Sequence, residues 1–494
     1  MTAVLWRITL KSDKFGYDTY LSPFTWRYGS EEMRSLFSEL NYRAIWRKIW
    51  VALAESQAQQ GLLTQTELDD IKSKASAKYV DIKRAHEIEK RIKHDVMAEI
   101  LTFAEQAKEG GGKIHLGATS ADIEDNADVI RIRQGLEIIL TRLVNCLSSA
   151  SKIIRKYSDL PCIGWTHLQP GEPTTVGYRI AFYAQDIVLD IQNIKFLLSD
   201  TVKAKGLKGA VGTSASYTAL LGDTKSSSEL EQSFLSKLNL PSFNISNQTY
   251  PRKTDFLVLS ILSSIAQTAN KFANDLRLMQ SPVFGEWSEP IAKDQVGSTA
   301  MPFKKNPTSS ERICSIARFV ASLPQVGYWN ASLSLLERTL DDSASRRLVI
   351  PEGFLGVDEI LMLFNKILGG LKIYEASIDR NLNRFASFAG TEKLLMRLTT
   401  AGENRQKMHE LIRKYSFLAW DEVLKGRENP LVNYLIKDKI ISSKFKPSEI
   451  KKIVSAKDHV GNAPTRCKTF LKEVVTPLIK EHSKKLHNIK SSGF

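Results

Sequence analysis

Apolar residues recur at helical spacing over most of the chain. Between residues 131 and 157, Ile132, Leu136, Ile139, Leu143, Leu147 and Ile154 follow at steps of three, four or seven. That spacing places them on one face of a helix. Four further long helices are predicted at roughly 175–204, 253–281, 308–335 and 347–373, each on the order of 40 Å long at a rise of about 1.5 Å per residue. Few strand patterns compete, and glycine and proline cluster between the helical segments. Five long helices in mid-chain predict a bundle. Stretches such as 256–265, FLVLSILSSI, are apolar on more than one face. A helix apolar all round needs cover on all sides, which predicts subunits that share the bundle as a homo-oligomer. A thick monomeric bundle satisfies the same pattern.

Shorter helices are expected on either side of the bundle. Residues 1–119 include a helical stretch at 31–60 carrying Trp46 and Trp50, and residues 374–494 read the same way. The expected division is therefore 1–119, 120–373 and 374–494, all α-helical. No repeat and no low-complexity linker separates the parts, so close packing is expected.

Composition narrows the class. A chain of 494 residues predicts two or three domains. With 43% hydrophobic and 25% charged residues it reads as a soluble globular protein. Cys146, Cys162, Cys314 and Cys467 show no CxxC spacing, which argues against a zinc site or a disulfide framework and suits a reducing cytosol. No run of eighteen apolar residues predicts a membrane span. The opening MTAVLWRITLKSDKFG lacks a small-residue cleavage site, so no signal peptide is expected.

The formal charge of +15 points toward polyanions, but its distribution is uneven. Residues 431–494 hold 14 Lys/Arg against 5 Asp/Glu, so +9 of the +15 lies in that stretch. A solvated basic region accounts for it, and no RRM, KH or zinc-finger pattern accompanies it. Nucleic acid is not an expected partner; a basic surface also steers a small polyanionic substrate.

Three polar segments interrupt the helices: 114–128 (IHLGATSADIEDNAD), 164–173 (GWTHLQPGEP) and 297–307 (GSTAMPFKKNP). Each lies at the edge of a long helix, where exposed backbone N–H groups favour anions. Local sequence alone reads Thr119 and Ser120 as N-caps of a helix with an acidic first turn. It reads His167 as a loop histidine. The third segment combines Gly297, two hydroxyls, Lys304 and Lys305, and two prolines ahead of a helix starting at Thr308. That combination describes a lid that closes on an anion.

GSTAMPFKKNP resembles the GSSxMPxKxNP loop of the fumarase/aspartase superfamily of fumarate-releasing lyases, and the other two segments resemble its remaining shared regions. SPFTWRYGSEEM, KRIKHDVMAEI, KGLKGAVGTSAS, NQTYPRKTD and LERTLDDSASRR are similar to the adenylosuccinate lyase branch, in its animal-type form. The resemblance implies an all-α, three-domain fold whose central bundle is shared in a homotetramer, with each site built from several subunits. It implies β-elimination of fumarate from adenylosuccinate and from SAICAR, in the cytoplasm, with no metal and no cofactor. Residue by residue it implies Ser298 as general base, His167 as general acid, Lys304 stabilising charge, and Glu311 orienting the histidine. The implied substrate-binding set is Arg27, Tyr28, Lys93, His94, Asp95, Thr119, Ser120, Gln248, Asn306, Arg338, Ser343 and Arg347. Thr299 departs from the usual second serine, and Lys93 stands where the animal enzymes have arginine. A related lyase using the same serine and histidine, and a non-catalytic protein that keeps the fold, are the competing readings. The retained site residues weigh against the second.

Overall fold

The computed structural model describes residues 16–483, except Tyr17 and Ala456. The readings of the N-terminal opening and of the basic tail past residue 483 lie outside the described residues. Five long helices make the centre: α1 (Ser120–Lys156), α2 (Val176–Phe196), α3 (Lys253–Gln280), α4 (Thr308–Leu333) and α5 (Asp341–Gly370).

Side-chain contacts give their directions. Arg346 reaches Asp128 and Asp255, while Asp358 takes Arg142 and Phe364 packs on Phe272, so α1, α3 and α5 run the same way. Gly327 of α4 lies against Phe256 of α3, and Tyr183 of α2 bonds Asp275. Those two helices therefore run the opposite way. The starts of α1, α3 and α5 mark one end of the bundle, here the lower end. The starts of α2 and α4 mark the upper end.

The core between the helices is aliphatic and continuous, from Val129 and Leu136 through Leu259 and Leu262 to Ile360 and Phe364. Gly135 allows α1 to approach α5 closely, because a Cβ there would come within 2.8 Å of the Phe354 ring. A second core joins residues around Trp46, Trp50 and Phe103 to Leu207, Tyr217 and Phe234. A third gathers Leu394, Leu398, Leu431 and Ile450 near the C-terminal end. α3 is long and apolar enough to cross a membrane by length and composition, but half of its apolar window is buried inside the fold. It is a bundle helix.

Two bundle helices begin earlier than apolar periodicity indicates. α1 starts at Ser120 and α5 at Asp341, and their opening turns bury charge as well as hydrocarbon: Asp122, Asp125, Asp128, Asp342 and Arg346 are all inside, beside Ala121 and Ile123. The stretch 31–60 is two helices, Glu31–Leu36 and Glu39–Gln59, divided where Ser38 accepts a hydrogen bond from the Asn41 N–H and caps the second.

The bundle also carries uncovered apolar faces. Phe182, Leu189 and Phe196 stand exposed at seven-residue steps along α2, and Tyr328, Trp329 and Leu333 along α4. Phe256, Leu257 and Ile261 of α3 are only half-buried. Contiguous exposed apolar surface of this kind marks an interaction face.

Candidate active site

The upper end holds the hydroxyl, imidazole and ammonium candidates. Pro161–Thr166 (β1) pairs antiparallel with Gln169–Thr175 (β2), so the segment read as a loop is a hairpin whose two-residue turn is His167–Leu168. Both turn residues are left-handed, with φ of 53° and 58°. Tight hairpins demand that geometry and ordinarily recruit Asn-Gly for it. With histidine and leucine there, the turn has no sequence signature and holds two side chains at some strain. His167 is exposed at the tip. The hairpin beneath it is braced: Trp165 packs 5.0 Å from Phe284 and 5.6 Å from Phe385, and Ile163 joins Leu382 and Ala389.

The loop 290–307 leaves and rejoins the fold at one point. Buried Glu289 accepts hydrogen bonds from the N–H groups of Ser309 and Ser310, both at 3.0 Å, and from the Ser310 hydroxyl at 2.9 Å. A carboxylate at the positive end of α4 is favourable, and it ties the start of the loop to its end. Asn306 Nδ2 donates to the Gly297 carbonyl at 2.7 Å, and Gln280 Nε2 to the Lys305 carbonyl at 3.0 Å. Ser298 Oγ accepts from the Met301 N–H at 3.0 Å. Met301, Phe303 and Lys304 face solvent, while Met301 and residues 303–307 line a cavity of 570 Å3 shared with Arg277, Trp287 and Tyr374.

Gly297 is what lets this loop close. A Cβ there would sit 2.0 Å from the Lys304 carbonyl oxygen. Gly297→Ala is expected to push Ser298 and Lys304 apart and lower kcat by about 100-fold, the scale of an ångström-sized misplacement. The melting temperature should barely move, because the loop is exposed. Steady-state kinetics with a thermal melt check this; an unchanged kcat would show that the backbone approach is dispensable.

Glu311, expected to orient His167, lies exposed in the first turn of α4. Among the described residues no hydrogen bond joins it to His167, and none joins His167 to Ser298. The histidine, serine, lysine and asparagine share an end of the bundle without a hydrogen bond between histidine and serine.

The lower end gathers the anion-binding candidates. Arg338 Nη1 donates to Gln248 Oε1 at 3.2 Å, and Gln248 Nε2 donates to the Ala210 carbonyl at 3.0 Å. Arg347 bonds Asp95 and lies 3.8 Å from Glu124. Arg338, Ser343 and Arg347 line a 370 Å3 cavity with Asp95, Glu124 and Tyr42. Thr119 is the N-cap of α1, and its N–H donates to Asp122 at 3.1 Å. Ser120 is the first residue of that helix.

His94 caps the helix Asp95–Gln106, its Nδ1 accepting from the Met97 N–H at 3.3 Å. Lys93, at φ 58°, closes the preceding helix Ile82–Ile92. Arg27 and Tyr28 sit higher, beside the middle of α5, where the Gly29 N–H donates to Glu359 at 3.0 Å. Arg312, not singled out from sequence, lies 5.8 Å above the Tyr28 ring and adds a second guanidinium there.

Burial would raise the Asp95 carboxyl, but the Arg347 guanidinium overrides it and holds it below its ordinary value. Glu124 goes the other way. Burial, with the negative charges of Asp95, Asp125 and Asp128, pushes it up to about 8 against the pull of Arg347. A carboxyl raised in the folded state keeps a proton that the unfolded chain has lost, so its contribution to stability declines as pH rises from about 4.5 to about 8. Glu124→Gln mimics the protonated form. It is expected to melt progressively higher than the parent between about pH 5 and pH 8. Paired thermal melts across that range check this, and a gap independent of pH would contradict it.

Other buried groups at this end escaped sequence reading. Lys205 is fully buried on Asp122, which also takes the Tyr217 hydroxyl at 3.1 Å and the Gly209 N–H at 3.2 Å. Its only sequence signal is a lysine beside a glycine-rich turn. Elsewhere Glu172, Glu392 and His459 bring possible metal-ligand atoms within 4.8 Å of one another, but both glutamates are exposed, as ordinary surface acids are.

The two ends are far apart. Lys305 meets Gln280 at the end of α3, whereas Gln248 and Arg338 lie beyond its start. The 28 residues of α3 correspond to roughly 40 Å at about 1.5 Å each. One chain therefore cannot offer Ser298 and Arg338 to the same small molecule.

Comparison with known proteins places this arrangement. A family model described as "Lyase" matches residues 27–321, and one described as "Adenylosuccinate lyase C-terminus" matches residues 388–470. The chain is 38% identical to the adenylosuccinate lyase of Schistosoma mansoni over 94% of its length and 96% of that protein's. It is 36% identical to that of Saccharomyces cerevisiae over 96% and 98%. A fumarate lyase structure from Mesorhizobium superposes with a TM-score of 0.80 at 23% identity, covering 92% of this chain and all of that one. The last similarity speaks to the all-α fold. The two relatives, matched nearly end to end, speak to descent: the chain belongs to the adenylosuccinate lyase family, within the fumarase/aspartase superfamily.

Proposed function

We propose that this protein cleaves adenylosuccinate to AMP and fumarate, and SAICAR to AICAR and fumarate, as a homotetramer with composite active sites. The carrying observation is the roughly 40 Å between the two candidate groups. The upper end bears groups for moving protons; the lower end bears arginines and hydroxyls for a phosphate and carboxylates. Antiparallel association of copies brings the upper end of one chain to the lower end of another, and the exposed apolar faces of α2 and α4 are suited to such packing.

In the assembled site Ser298 removes the proton beside a substrate carboxylate. The resulting carbanion is an aci-carboxylate, stabilised by Lys304, Asn306 and backbone N–H groups of the closed loop. His167 then protonates the departing nitrogen, which completes the elimination. Arg338, Ser343 and Arg347 hold the phosphate, with Gln248, Thr119, Ser120, His94 and Asp95 around the remaining polar groups. Lys93 offers a compact ammonium rather than a planar fork and holds its partner with less directional control. Arg27 and Tyr28 complete the set. A cytoplasmic location is part of the proposal, supported by four unpaired buried cysteines.

The test is direct incubation with adenylosuccinate and with SAICAR, following fumarate release by the ultraviolet change. Release from both substrates supports the reading. Release from neither would sink it.

A further inference from the structure

The lower end of the bundle is held by a buried ionic lattice whose members alternate with the candidate binding residues. Arg252, between Gln248 and the start of α3, donates through both terminal nitrogens to Asp125 at 3.0 Å and through Nε to Asp342 at 2.6 Å. Arg346 of α5 donates through Nε to Asp255 at 2.7 Å and through Nη2 to Asp128 at 2.9 Å and the Tyr250 hydroxyl at 2.7 Å. The Tyr250 N–H returns to Asp125 at 2.8 Å. Arg252, the residue just before α3, thus ends on α1 and α5, and Arg346 of α5 ends on α1 and α3.

We infer that Arg252 and Arg346, with Asp125, Asp128, Asp255 and Asp342, are positioning residues that hold the phosphate-binding cations in register. The interleaving carries the argument. On α5, Asp342 and Arg346 are buried, while Ser343 and Arg347, one residue further on, are more exposed; Arg346, Asp125 and Asp128 border the same cavity as those two. Two residues after Gln248 comes Tyr250, and five after Ser120 comes Asp125. The segments bearing Ser120, Gln248, and Arg338 with Ser343 and Arg347 are therefore each pinned a few residues away, by guanidinium forks of fixed angle, while the segment bearing His94 and Asp95 is tied to them through Arg347.

Stability is a poor reason for such a device. Buried ion pairs lose much of their attraction to desolvation, and well-packed apolar side chains would hold the bundle end about as firmly. What hydrocarbon cannot supply is directionality. Arg338 also points to a shaped site: its Nε is buried without a hydrogen-bond partner, although Nη1 is engaged by Gln248.

The inference rests on the proposed function, and its test separates the two. Asp342→Asn keeps an acceptor for Arg252 and removes one charge; Asp342 Oδ1 already lacks a partner, so the exchange is mild. Arg346→Lys keeps the charge and removes the fork. For each assembled variant, kcat, KM for adenylosuccinate, and inhibition constants for AMP and for fumarate are measured. KM and the AMP constant are expected to rise about tenfold, while kcat and the fumarate constant stay within about twofold, since only the phosphate end is displaced. An unchanged AMP constant, or equal losses in all four quantities, would overturn the inference and leave the lattice as structural support. Where Arg346→Lys does not assemble, Asp342→Asn decides alone. Failure of the parent protein to release fumarate would refute the functional reading instead.

Discussion

Replacing Ser298 by alanine, or His167 by alanine, is expected to lower fumarate release by about a thousandfold or more, within the range that a positioned general base or acid contributes. Neither change should unfold the chain. Ser298 Oγ accepts one hydrogen bond, from the Met301 N–H on an exposed loop, and His167 stands at a hairpin tip whose bracing comes from Trp165 and Ile163. Exposed substitutions of this kind shift stability by about 0.5 kcal/mol or less. The check is a rate measurement beside a thermal melt and a sizing run. A variant that keeps more than about a tenth of parent activity would remove its residue from the acid–base role.

The second expectation is recovery. Ser298→Ala chains retain His167, and His167→Ala chains retain Ser298. If each site takes the serine from one copy and the histidine from another, an equal mixture reassociated at random should regain about a quarter of parent activity, since each of two independent positions is intact half the time. Unfolding and refolding the two inactive proteins together, with each refolded alone as control, gives the measurement. Mixed oligomers that form and stay inactive would show that one chain supplies both groups.

The parts of the fold that were legible in sequence are those where hydrocarbon does the packing. Leu136, Ile139, Leu143 and Leu147 recur at helical spacing and are all buried in the bundle. Where charge shares the packing, apolar periodicity registers less, so the first turn of α5 was missed along with Arg252 and Arg346, whereas the start of α1 was read from its caps at Thr119 and Ser120. The hairpin was missed because its turn carries His-Leu in place of Asn-Gly. The site was legible as a set of residue types through family resemblance, notably in GSTAMPFKKNP. Its division between two ends of the bundle was not. The helix between Gln248 and Ser298 was predicted at 253–281, but which candidate residues gather at which of its ends is set by tertiary contacts such as Gln280 with Lys305 and Arg338 with Gln248.

Under the proposed composite site, that helix makes catalysis a function of concentration. On that proposal a single copy presents only half of any one site at each end. Dilution below the dissociation constant of the oligomer would then silence the protein, with a rate per chain that climbs steeply as copies meet. In a cell making little of it, each added chain would raise activity more than in proportion, and the output would depend on abundance as a switch does.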